Sequence, residues 1–158
     1  MHYLVRLIVD ASDSETAKGQ AHCAIDTMLE EHEFDWYREE GDANAWEDCW
    51  KPVRFSSKQG QAWVQDAMAT QLSEFKLSMQ AVRHMVAGFT DEQIFDEDFD
   101  QDNRMHLSRY YFSKASGYHA NACVLYDTNG TAIPNNTDLR YCTEKPDDLW
   151  VVQVDCHN

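Results

Sequence analysis

Seven apolar residues, Val64, Met68, Leu72, Phe75, Met79, Val82 and Val86, follow one another at spacings of four, four, three, four, three and four. That rhythm is the period of one helix face, and it predicts a helix from about Gln59 to Ala87, closed by Gly88 where a left-handed cap is usual. A helix of that size is roughly 40 Å long and needs a large apolar surface to lie on. One such helix is too few for a coiled coil within the chain, so the expected support is a sheet.

The strands for that sheet are found at the two ends of the chain. Tyr3-Leu4-Val5-Arg6-Leu7-Ile8-Val9 is rich in branched residues and stops at Asp10-Ala11-Ser12, which reads as a central strand. Ser12 followed by Glu15 forms a capping-box pattern, and Ala17, Ala21, Ala24, Ile25, Met28 and Leu29 then recur at helical spacing, predicting a helix over about 13–32. Phe34 to Glu39 alternates as a second strand. Met105–Phe112, Ala122–Tyr126, Leu139–Cys142 and Leu149–Asp155 read as further short strands, with Asp127-Thr128-Asn129-Gly130 as the strongest turn signal. The expected fold is α+β, a mainly antiparallel sheet with two helices, about 13–32 and 59–87, packed on one face of a single domain spanning 1–158.

The chain has a formal charge of −15, and that charge is local. Asp26–Asp48 holds ten carboxylates against the single Arg38, and Asp91–Asp102 holds seven against none. Eleven acids and twelve bases are left for everything else, so about a fifth of the chain carries the whole excess. A salt-adapted protein spreads acid over its entire surface, whereas two concentrated segments fit a surface that meets a basic partner. The residues assigned to that surface are Glu30, Glu31, Glu33, Asp35, Trp36, Glu39, Glu40, Asp42, Trp46, Glu47 and Asp48, with Asp96, Asp98, Asp100 and Asp102. Tryptophan among the acids is an interface signature, although about half of Trp36, Tyr37, Trp46 and Trp50 are expected in the core. An array of carboxylates also imitates nucleic-acid phosphates, while the absence of any basic run argues against direct nucleic-acid binding.

Signals for chemistry are sparse. Asp96, Asp98, Asp100 and Asp102 alternate, but a calcium loop started at Asp96 places Gln101 where glycine belongs and Leu107 where glutamate belongs. A looser divalent-cation site from these four residues and His106 stays open, which would make the chain a metal-assisted hydrolase or phosphoesterase. No other cofactor is expected. The five cysteines include no CxxC pair and fit a reducing cytoplasm, and the commonest role for such residues is as small core hydrophobes. No apolar run reaches membrane-spanning length, and Arg6 interrupts the only N-terminal apolar stretch. A third reading makes the long helix an oligomerisation element of a structural protein.

The stretch Val9-Asp10-Ala11-Ser12-Asp13-Ser14-Glu15-Thr16-Ala17 and the ending Val152-Gln153-Val154-Asp155-Cys156-His157 resemble small uncharacterised α+β proteins of phage and mobile-element genomes. The resemblance implies an accessory protein that binds a host or viral component, acting in the host cytoplasm if phage-encoded, and it implies no catalytic activity. The leading expectation is therefore an acidic, non-enzymatic protein-binding protein, such as an inhibitor that mimics nucleic acid.

Overall fold

The computed structural model of the chain describes residues 1–96, 108–116, 123–144 and 148–158. The chain divides into two compact units, Met1–Thr70 with Cys123–Asn158, and Gln71–Ala122.

The first unit is built on two nine-residue strands, β1 (His2–Asp10) and β5 (Leu149–His157), paired antiparallel along their whole length. β4 (Leu125–Asp127) adds to the far side of β1 in parallel, and two short strands, β2 (Trp36–Tyr37) and β3 (Val53–Arg54), share the far side of β5. The sheet is therefore mixed and mainly antiparallel, and the fold is α+β. The strand expected over Phe34–Glu39 shrinks to the two residues of β2, because the chain leaves the edge of β5 after Arg38, whose N donates to Asp155 O, touches it again through Trp50 N, and pairs as a strand only from Val53.

Strand alternation gives the sheet two buried faces. Val5, Leu7 and Val9 of β1 lie opposite Val154, Val152 and Trp150 of β5, and α1 (Ser14–Glu30) covers them with Ala17, Ala21, Ala24, Ile25 and Met28. On the other face, Ile8, Val151, Leu149 and Leu125 pack with Phe55, and with Val64 and Ala67 from the first turns of α2 (Lys58–Gly88). The two helices thus take opposite faces where one face was expected. The reason lies in the strands, whose residues are apolar on both sides, so that each face needs its own cover. Arg6, 6% exposed at the centre of β1, ties α2 down through its Nη2 to Asp66 Oδ2 at 2.7 Å.

Local chemistry shifts several boundaries. Asp13 rather than Ser12 caps α1, accepting from Thr16 N at 2.9 Å, with Ser12 Oγ donating to the same carboxylate. α2 starts where a Cβ on Gly60 would lie 2.3 Å from Arg54 O, so only glycine lets the helix approach β3 this closely. The Asn129-Gly130 turn forms as the sequence signals, with Gly130 at φ +74° and Asp127 Oδ1 accepting from Asn129 N and Thr131 N at 2.8 and 2.9 Å. The run Leu139–Cys142 is not a strand; it lies in α5 (Asn136–Cys142), which Asn135 caps by accepting from Thr137 N and Asp138 N.

In the second unit, the remainder of α2 is followed by α3 (Asp91–Asp96) and α4 (Ser108–Ser116). α2 runs through Gly88, which does not adopt the left-handed cap. Residues 108–112, expected in a strand, are helical. Met85 is the buried anchor of this unit, packed on Phe89 and Ile94, and Lys114 Nζ meets Glu74 Oε2 at 2.8 Å.

Candidate functional site: an acidic loop pinned to a sheet edge

Between β2 and β3 the chain bulges out and carries the second half of the first acidic segment, Glu39, Glu40, Asp42, Glu47 and Asp48; the first half, Asp26, Glu30, Glu31, Glu33 and Asp35, lies on α1 and in the turn that leads to β2. Glu30, Glu31, Asp35, Glu39, Glu40, Asp42 and Glu47 are exposed, while Glu33, Asp48, Trp36 and Trp46 are half-buried. Two contacts join this loop to α1, one in the C-terminal half of the helix and one in its N-terminal half. Tyr37 Oη donates to Asp26 Oδ1 at 2.8 Å, and Lys18 Nζ meets Glu40 Oε1 at 2.8 Å. These contacts hold the start of the loop against α1 in the first unit. Among the described residues only Glu40 and Asp48 of the segment's ten carboxylates enter ion pairs, with Lys18 and Lys51. Lys51 holds Asp48 below the usual carboxylate range, and Asp48 in turn raises Lys51.

Three buried groups hold the loop in place. Asp155 on β5 is fully enclosed, with Oδ1 at 2.7 Å from His2 Nδ1 and Oδ2 accepting from Ala45 N at 2.7 Å. Gln153, two residues before it on the same sheet face, donates from Nε2 to Glu47 O at 2.6 Å. Trp50 is 0% exposed, stacks on His22 at 3.8 Å between ring centroids, and donates from Nε1 to Arg38 O at 2.6 Å. Its backbone N also donates to Gln153 O at 3.0 Å. Sequence reasoning assigned no role to His2, His22, Gln153 or Asp155. The available signal was the alternation of polar residues on one face of the end strands, His2 and Arg6 on β1 and Gln153, Asp155 and His157 on β5.

An aromatic cluster closes the end of the loop. Trp36 stacks on His157 at 4.6 Å, His2 meets both rings edge-on, and the Arg38 guanidinium lies 4.8 Å from the Trp36 centroid. Burial, with the Met1 ammonium and His2 beside it, lowers the pKa of His157. A histidine held neutral by the fold contributes stability that is present above its ordinary pKa of about 6.5 and lost as pH falls through the lowered value. The difference in melting temperature between about pH 7.5 and about pH 5.5 is therefore expected to shrink in His157→Gln, and an unchanged difference would remove this assignment.

The His2–Asp155 pair has the form of an oriented base, but no activated nucleophile accompanies it among the described residues. The nearby Cys49 thiol is pushed up to about 11, first by burial and then by the Asp155 charge, so it stays protonated at neutral pH. Cys123 and Cys156 are buried, and their thiols are likewise raised by desolvation. No group of three or more His, Cys, Asp or Glu side chains suited to a metal ion occurs among the described residues. Of the expected cation ligands, Asp96 is exposed on α3, whereas Asp98, Asp100, Asp102 and His106 lie outside the described residues. An open cleft of about 430 Å³ lies between α5 and the first turns of α2, lined by Phe55, Val64, Met68, Leu139 and Arg140 among others. Gln61, Gln65, Asn136 and Thr143 complete the lining, in which Arg140 alone carries a charge. No helix of the described residues is long and apolar enough to cross a membrane.

Fold and site together define a class: an α+β protein whose central sheet presents a pinned acidic loop along one edge. The chain belongs to the family described as a domain of unknown function, DUF7995, whose model matches residues 1–158. No curated protein and no solved structure matches it.

Proposed function

We propose that the protein is a non-enzymatic binding protein whose acidic loop engages a basic protein partner. The observation that supports this reading is the state of the ten carboxylates between Asp26 and Asp48. They all belong to the first unit, we take the exposed ones to form one surface, and among the described residues only two of the ten are neutralised by a cation. Like charges held together without counter-charges repel one another, and a basic partner relieves that repulsion while gaining association rate from the field. Trp36 and Trp46, half-buried in the same surface, supply the apolar contact that charge alone lacks. The natural partner class is a nucleic-acid-binding protein, for which the carboxylates stand in for phosphates. A cytoplasmic site of action fits five cysteines that are all free thiols.

The reading rests on the first acidic segment alone. Its test is retention of proteins from cell extract on the immobilised chain at about 50 mM and about 400 mM salt, a range over which screening removes exposed charge contacts. Replacing Glu30, Glu31, Glu33, Glu39 and Glu40 with glutamine is expected to reduce capture of the salt-sensitive partner by about tenfold or more. A control neutralising Asp10, Glu15, Asp91, Glu92 and Glu144 makes the same change in net charge and is expected to leave capture intact. Equal loss in both variants would show bulk charge at work and would sink the proposal.

A further inference from the structure

The heptad stripe of α2 does not end up where its periodicity points. Within the second unit, the buried face of the helix is formed by Gln71, Ser78 and Met85, at 5%, 1% and 1% exposure. The stripe Leu72, Phe75, Met79, Val82 and Val86 lies roughly 80° around the helix from that face, at 100° per residue. It is open at its two ends, where Leu72 is 51% exposed and Val86 63%, with Met79 and Val82 half-buried between them. An apolar row about 21 Å long that opens to solvent at both ends is a surface built to be covered.

Charge beside the row indicates what covers it. Lys76 and Arg83 stand on its outer flank, seven residues apart on one helical ridge, and both are exposed. Neither forms an ion pair among the described residues, while Glu74, the one acid in this stretch of helix, is already engaged by Lys114 at 2.8 Å. In a chain of net charge −15, a row whose charged edge among the described residues is made of bases selects an acidic counterpart.

We propose that this face docks an amphipathic α-helix from a partner protein, with an apolar seam at heptad spacing edged by Asp and Glu. The three-four-three-four spacing from Leu72 to Val86 supplies the holes that a heptad seam fills over two turns of repeat. A second copy of this chain is a poor occupant. Antiparallel pairing sets Lys76 and Arg83 of one copy against the same bases of the other. Parallel pairing aims them at the positions of Gln71, Ser78 and Met85, which are buried within the unit. An anionic membrane surface is opposed by the charge of the whole chain. The inference is independent of the acidic loop, since it calls for a partner surface of the opposite sign.

The test uses the full chain and two fluorescein-labelled peptides of three heptads, both with leucine at the seam. One carries glutamate and the other lysine at the flanking positions. Anisotropy titrations are expected to show the glutamate peptide binding about tenfold tighter than the lysine peptide, against the bias of the net charge. Lys76→Glu with Arg83→Glu is expected to invert that preference, and Leu72→Gln with Val86→Gln to abolish binding of both. All four positions are exposed, so these readouts are made on the native fold. Binding of neither peptide, or a wild-type preference for the lysine peptide, overturns the proposal. So does a wild-type dimer that Leu72→Gln with Val86→Gln converts to monomer, which assigns the face to a second copy. Adsorption to phosphatidylserine vesicles lost in the same variant, with no peptide bound, would overturn it in favour of a membrane.

Discussion

Replacing Trp50 with alanine is expected to lower the melting temperature by on the order of 10 °C, from a loss of about 3–5 kcal/mol typical of a buried aromatic removed from a core. The ring is 0% exposed and belongs to the larger of the two sheet-face clusters, alongside Ala21, Ile25 and Val154. It also performs two tasks that packing alone does not describe. Its face stacks on His22 of α1, and its Nε1 holds the carbonyl of Arg38 at the start of the acidic loop. Trp50→Phe retains the stacking and gives up the hydrogen bond, so it should lose about 1–2 kcal/mol, well short of the alanine variant. The backbone offers a further comparison. Trp50 sits at φ +61°, a conformation that costs a non-glycine residue about 1 kcal/mol. Trp50→Gly is therefore expected to melt no lower than Trp50→Ala, against the usual order of the two residues. Thermal unfolding followed by circular dichroism reads all three. A drop of less than about 2 °C for alanine would mean that the core does not depend on this ring.

How much of this was legible in the sequence depends on whether a residue's partner was local. The helix α1, the long strand β1 and the Asn129-Gly130 turn follow from patterns within a few residues, and they form nearly where expected. β2 and β3 exist only because β5 offers an edge, so nothing between Phe34 and Arg54 announces where pairing stops and the loop begins. The runs at 108–112 and Leu139–Cys142 were read as strands from their aromatic and branched residues. For the second, a capping signal was present in Asn135 and Asp138, whose side chains bond at 2.6 Å, and local helix chemistry outweighed strand propensity. The α2 periodicity found the helix and its first buried apolar side chain, Val64, but misplaced the buried side beyond Thr70, where Gln71 and Ser78 precede Met85 and a search for apolar spacing passes over the two polar residues. The acidic surface was legible by composition. Its anchors were not, since a polar residue at every second position of a strand reads as a solvent face until a loop is seen to cover it.

Asp155 is the sharpest case of such an anchor, and Asp155→Ala is expected to cost about 3–5 kcal/mol. The carboxylate is wholly enclosed, and each oxygen has one short partner, His2 Nδ1 and Ala45 N, both at 2.7 Å. Removing it takes the acceptor from two part-buried groups, the His2 ring and Ala45 N, and a hydrogen bond to a charged group is worth about 1.5–3 kcal/mol. Asp155→Asn separates charge from shape. Its amide oxygen can still accept from Ala45 N, and its amide nitrogen can donate to His2 Nδ1 if the imidazole proton moves to Nε2. Asparagine should therefore recover most of what alanine loses, falling short of wild type by about 1–2 kcal/mol, the difference between a charged and a neutral acceptor. The consequence extends beyond stability, because Ala45 lies in the middle of the acidic loop and Asp155 fixes its backbone. In Asp155→Ala, below its melting temperature, cleavage between Glu39 and Asp48 by limited proteolysis should rise and salt-sensitive capture of a basic partner should fall together, whereas Asp155→Asn should preserve both. If alanine and asparagine prove equal in stability and cleavage, the loop is held by Gln153 and Trp50 alone, and the part assigned to the buried carboxylate is wrong.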